Sequence, residues 1–135
     1  MLVKLIASQR DESNPTLILG KEYIVLTVGY SRKSMGGLYY RLLDENLSAT
    51  LYNFSLFEIV DPSLPEDWQV AIEDAESFIV EPRVFSRPIR NSFWEDFFEG
   101  DSVRRVEAWK VLDAEIRKIQ SFHGIDEIGL NTPKQ

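Results

Sequence analysis

The chain has 135 residues, 44% of them hydrophobic and 27% charged, which is the size and composition of one folded domain, 1–135, with a core of its own. Twenty-two acids against fifteen bases give a net charge of −7, which argues against nucleic-acid binding, because neutralising phosphates takes a basic face. With no cysteine in the chain, disulfides, thiolate metal ligands and cysteine nucleophiles are excluded.

The opening MLVKLIAS holds only a few apolar residues before Gln9 and Arg10, too few for a signal peptide or a membrane-spanning helix. A cytoplasmic protein with no membrane partner is expected. Leu2 to Ala7 predicts a short strand, and the turn formers at 11–15 interrupt it. From Glu22 to Val28 nearly every residue is β-branched or aromatic, which predicts one strand buried on both faces, Tyr23 and Val25 on one, Ile24, Leu26 and Val28 on the other. Ser34 to Gly37 reads as a turn. The next strand, Leu38 to Leu43, sets Leu38, Tyr40 and Leu42 against Tyr39, Arg41 and Leu43. A turn at Asp44 to Asn46 leads to a strand from Ala49 to Tyr52, and 54–57 reads as a single 3₁₀ turn. Pro62 and Pro65 punctuate the chain before an alternating strand (Trp68, Val70, Ile72), a turn at 73–76 and a returning strand at Phe78 to Val80.

Pro82 and Pro88 bracket an irregular segment carrying Arg83, Arg87 and Arg90, expected to serve as internal counter-charges. Ser92 with Glu95 makes a capping box for a short helix whose apolar face is Phe93, Trp94, Phe97 and Phe98. Asp101 or Ser102 caps a long helix with apolar positions Val103, Val106, Trp109, Leu112, Ile116, Ile119 and Phe122, and Gly124 ends it. Residues 1–81 thus read as mostly β, 92–123 as helical and 125–135 as a loose tail. The expected architecture is α+β: a strongly bent antiparallel β-meander or small barrel, then a short helix and one long C-terminal helix.

The sequence offers little to catalysis. Its one histidine, His123, sits at the end of the last helix, where a dipole-compensating role is expected. No serine lies in a nucleophile-elbow motif, no Cys/His cluster suits zinc, no calcium loop or phosphate-cradling loop is spelled, and no cofactor is implied. Carboxylate pairs such as Glu95 with Glu99, or Glu66 with Asp67, are the remaining route to hydrolysis, in a chain with little room for a sugar cleft.

The acids are concentrated. Residues 57–101 hold twelve acids and three bases, a net −9, while the rest of the chain is close to neutral at +2. Such a stretch is either a solvated surface or an electrostatic docking face for a basic protein. Aromatics are interleaved with it, and tryptophan is a favoured interface anchor. The expected partner-binding residues are Glu66, Asp67, Trp68, Trp94, Glu95, Asp96, Glu99 and Asp101.

The runs LILGKEYIVL, YYRLLDEN and LYNFSLFEIVD between residues 17 and 61, followed by LPEDW and FWEDFFEGD, resemble small uncharacterised bacterial SH3-like-barrel proteins, some of them linked to toxin–immunity systems. The resemblance spans residues 17–101. It implies an SH3-like barrel in a bacterial, cytoplasmic, non-enzymatic protein that works by binding another protein, such as an immunity protein neutralising a basic, toxin-like partner. No site residues carry over from it. The competing readings are an adaptor or structural subunit acting as a homo-oligomer, and a small hydrolase using paired carboxylates.

Overall fold

The computed structural model describes residues 1–7, 16–85 and 93–125. The turn at 11–15, Arg87, Arg90, the Ser92 cap and the tail from 126 onward lie outside the described residues. Among the described residues eight strands form two antiparallel sheets. The smaller has the order β2–β1–β6, with β1 at Leu2–Leu5, β2 at Glu22–Ile24 and β6 at Phe57–Asp61. The larger has the order β5–β4–β3–β8–β7, from β3 (Thr27–Ser31), β4 (Gly37–Leu43), β5 (Ala49–Asn53), β7 (Trp68–Asp74) and β8 (Ser77–Pro82). A 3₁₀ turn at Phe54–Leu56 joins β5 to β6, as expected from its sequence, and two helices follow, α1 (Phe93–Glu99) and α2 (Ser102–Phe122). The protein is an α+β domain: antiparallel β first, then a short helix and a long one.

The single strand expected over 22–28 is broken. The Val25 N–H donates to the Met1 carbonyl at 3.0 Å, and the next N–H, of Leu26, donates to Arg41 at 2.8 Å. The chain therefore leaves the smaller sheet and enters the larger one between these two residues. The alternation holds as far as Leu26 and shifts by one after it. Tyr23 and Val25 enter the core between the sheets, with Val3, Leu5, Tyr40, Leu42, Tyr52 and Phe57. Ile24 and Leu26 enter the core under the helices, with Leu43, Phe85, Phe93, Trp94, Leu112, Ile116 and Ile119. Val28, expected beside Ile24 and Leu26, packs instead against the inter-sheet core. Burial on both faces is as expected, because the crossing strand is wrapped by both cores.

At the centre of the larger sheet Gly29 faces Tyr39 across the β3–β4 ladder. A Cβ at residue 29 would lie 2.1 Å from the tyrosine ring, so the missing side chain is the space in which the ring lies.

Asp101 caps α2, its carboxylate accepting the Arg104 N–H at 2.9 Å, and Gly124, at φ 68°, follows its end. The buried stripe differs from the expected one. Leu112, Ile116 and Ile119 are buried, and Trp109 packs against the core, but Val103, Val106 and Phe122 are exposed. The stripe is completed by Ala108, Glu115 and Gln120. The first turn and the end of α2 extend past the surface that covers its middle, so apolar spacing alone overstated the contact.

Glu115 is only 4% exposed, and one of its oxygens has no hydrogen-bond partner. Burial pushes its carboxyl up, Lys118 opposes this and Asp67 adds to it. A raised acid favours the folded state only where the unfolded carboxyl is still protonated, and this contribution is lost as pH rises through the folded value. Glu115→Gln is therefore expected to raise the Tm by a few degrees at pH 7 and to change it little at pH 4. Thermal unfolding at the two values checks this.

Candidate docking site on the exposed hairpin

Strands β7 and β8 form a hairpin at the edge of the larger sheet. Asp74 closes its turn by accepting the Glu76 N–H at 2.7 Å, and the Glu76 carbonyl accepts the Arg32 N–H at 3.3 Å. The register places Val70 opposite Val80 and Ile72 opposite Phe78, with Tyr30 of β3 next to Phe78. Tyr30 and Phe78 stack at 5.6 Å between centroids. These side chains share the sheet face that elsewhere carries Tyr40 and Tyr52 into the inter-sheet core.

The smaller sheet covers this face over β4 and β5, and the inter-sheet core reaches only Val28 of β3 and Trp68 at the start of β7. Toward the hairpin the same apolar row runs out into solvent, leaving Val70 65% and Ile72 78% exposed. A concave surface of about 470 Å³ results, lined by Tyr30, Val70, Ile72, Phe78 and Val80, with Asp74 and Glu76 at its turn end. Scattered exposed apolar residues need no explanation, but a contiguous concave one marks a contact surface.

The opposite face of the sheet is anchored. Glu81 is 5% exposed and accepts hydrogen bonds from the Thr27 hydroxyl at 2.9 Å and the Trp94 indole at 3.1 Å. The Arg41 guanidinium lies 4.3 Å from the Trp94 ring and 5.7 Å from Phe98, and donates to the Ala49 carbonyl at 2.7 Å. Burial pushes Arg41 down, while Glu81 and Tyr39 oppose this. This polar seam locks α1 onto the root of the hairpin.

The eight sequence-predicted site residues fall into two groups. Glu66, exposed, Asp67 and Trp68 stand where β7 begins. Asp67 is paired with Lys118 of α2 at 3.0 Å, and Trp68 is half-buried against both cores. The second group belongs to α1 and its exit: Glu95 and Glu99 are exposed, Asp96 is half-buried and Asp101 is spent on the α2 cap. Trp94 is 9% exposed, so its ring belongs to the core and serves any partner only indirectly, by holding Glu81. Nor are the acids of 57–101 one free face, since Asp61, Asp67, Glu81 and Asp101 have internal partners. Arg83 has its backbone N–H on the Asp67 carbonyl, which ties the start of the arginine segment to the start of β7.

The residues that sequence reasoning missed are Val70, Ile72, Phe78 and Tyr30. The strands of Val70, Ile72 and Phe78 were expected, and the signal was present in the alternation, but alternation does not say which face lacks a cover; Tyr30 lies past Val28, where the expected strand ends, in a β3 that runs on to Ser31.

His123 does more than face a helix dipole. Its ring is enclosed, with Nδ1 3.0 Å from Asp61 and Nε2 3.0 Å from the Met1 amine. Hydrogen bonds from the Ser63 backbone and side chain, then from His123, hold Asp61 down at about 2. Burial pushes the amine down to about 6 and the imidazole below its ordinary value. A neutral ring donating from Nδ1 and accepting from the amine satisfies all three, stapling β1, β6 and the end of α2 together.

Comparison of the chain with protein-family models, with curated proteins and with solved structures finds no match. What the fold defines is an α+β domain of two antiparallel sheets backed by two helices, with an apolar hairpin surface left uncovered. Among the described residues no helix is long and apolar enough to cross a membrane, and no group of three or more acids and histidines is placed to hold a metal ion.

Proposed function

We propose that this chain is a protein-binding domain, of the small bacterial immunity type its segments resemble, and that it neutralises a basic protein by docking it on the β7–β8 surface. The observation that carries the reading is the uncovered apolar face at Val70 and Ile72. Its setting supports a cationic partner: residues 57–82, which include both strands, contain eight acids and no lysine or arginine. Apolar contact supplies affinity at the centre of such a surface, and charge at its rim steers encounter and selects the partner.

The test uses the partner recovered with the chain from its native cell. Ile72→Asp, at a site exposed enough to leave folding intact, is expected to weaken binding about 100-fold or more, in the range of an interface hot spot. Reversing Glu66 and Glu95 to lysine is expected to slow association several-fold while dissociation changes little, and added salt should do the same. A partner without net positive charge, or affinity unchanged by Ile72→Asp, sinks the proposal. The alternative, a homo-oligomeric subunit, predicts a dimer in light scattering that Ile72→Asp dissociates.

A further inference from the structure

We infer that the partner docks by strand addition, laying an extended segment of alternating apolar and cationic residues along the free edge of β7. The inference rests on the docking reading above and specifies how the contact is made.

Among the described residues, strand β7 pairs with β8 on one side and ends the larger sheet on the other. An edge strand presents a row of unpaired backbone N–H and C=O groups, and folded proteins blunt such edges with lysine, proline, short length or a cover. β7 has seven residues, and none is Lys, Arg or Pro. From Val70 to Asp74 it is exposed on both faces. The other edge of this sheet, β5, has no exposed residue. In the smaller sheet β2 is three residues long, and β6 is tied at Asp61 to His123. The protective devices on β7, the carboxylates of Glu73 and Asp74 and a register shift between Ile72 and Asp74, sit at its turn end, which leaves Trp68 to Ile72 regular enough to template a neighbour.

The side chains beside that edge specify the occupant. A strand added to β7 alternates its own side chains between the two faces. On the concave face it meets Val70 and Ile72, which take apolar residues. On the other it meets Gln69, Ala71 and Glu73, which take a cation opposite Glu73. Glu66 stands at one end of the strand and Asp74 at the other. A second copy of this chain suits the edge poorly, because the strand it would offer is itself acidic and free of bases.

The probe is a synthetic capped peptide, Lys-Val-Lys-Val-Lys-Val-Lys, titrated into the full chain. Two further versions carry backbone N-methyl groups, one on every lysine and one on every valine. In an added strand alternate N–H groups face β7, so one methylated version is expected to lose affinity at least tenfold while the other keeps it. Hydrogen exchange of alternate β7 amides should slow in step with binding. If the two methylated peptides behave alike, whether both bind or both fail, strand addition is wrong and docking through side chains stands. If the parent peptide does not bind, or binds Ile72→Asp as well as wild type, the docking reading itself falls. A dimer in light scattering that Ile72→Asp dissociates would assign the edge to a second copy and overturn the proposal.

Discussion

Replacing Glu81 with alanine is expected to destabilise the fold by about 3 kcal/mol, because it leaves the buried Thr27 and Trp94 donors without their acceptor. Glu81 is the carboxylate nearest the middle of the polar seam beneath α1, holding the Thr27 hydroxyl and the Trp94 indole through one oxygen. Arg41 is half-buried alongside, its guanidinium over the Trp94 and Phe98 rings, and its Nε has no acceptor of its own. Burial lowers the guanidinium, and Glu81 is the largest influence holding its charge in place. Alanine removes that influence and strands two buried donors. Glu81→Gln keeps an acceptor for Thr27 and Trp94 and is expected to cost less. Adding Arg41→Met to Glu81→Ala should recover part of the loss, because it removes the stranded charge. Urea unfolding followed by tryptophan fluorescence reads all three. An alanine variant as stable as wild type would mean that the seam does not anchor the hairpin. The contrast with Ile72→Asp is informative: Glu81 lies behind the docking surface and Ile72 on it, so one change should reduce stability and the other affinity alone.

Much of this architecture is legible in the sequence because local chemistry decides it. The meander follows from alternating residues between turn formers, and α2 from its apolar spacing and the Asp101 cap. What local chemistry leaves open is which neighbour each face meets. Val25 and Leu26 look like the middle of one strand, since the break between them exists only because two different sheets supply the next hydrogen bonds. Trp94 looks like an exposed anchor within an acidic helix, until its indole finds a carboxylate thirteen residues back in β8. Val103 and Val106 keep helical spacing yet stay in water, because the described core begins to cover α2 only from Ala108. The docking surface was hidden for the same reason: Val70 and Ile72 read as one face of an alternating strand, and only the limited extent of the smaller sheet leaves that face in water.

Asp44→Ala is expected to cost about 3 kcal/mol, since it removes a buried acceptor shared by four donors, one buried and three part-buried. Asp44 is 2% exposed at the turn between β4 and β5. Oδ1 accepts the backbone N–H groups of Asn46 at 2.9 Å and Ser48 at 3.0 Å. Oδ2 accepts the Tyr52 hydroxyl at 3.0 Å and the Thr50 hydroxyl at 3.1 Å. The turn it closes holds Leu47 at φ 59°, a left-handed conformation that costs a leucine about 1 kcal/mol and persists only while its surroundings impose it. Without the carboxylate the two N–H groups lose their acceptor, and the strained residue loses the contacts that hold it. Burial and the Asp44 carboxylate push the Tyr52 hydroxyl up to about 12, with the Thr16 hydrogen bond opposing them. Removing the carboxylate should therefore bring the Tyr52 titration downward, visible in the tyrosinate absorbance of a variant that still folds. Asp44→Asn provides the control: its carbonyl still accepts from Asn46 and Ser48, and its amide donates where Tyr52 and Thr50 can accept. If asparagine were as damaging as alanine, the charge on Asp44 and not its geometry would be what the turn requires.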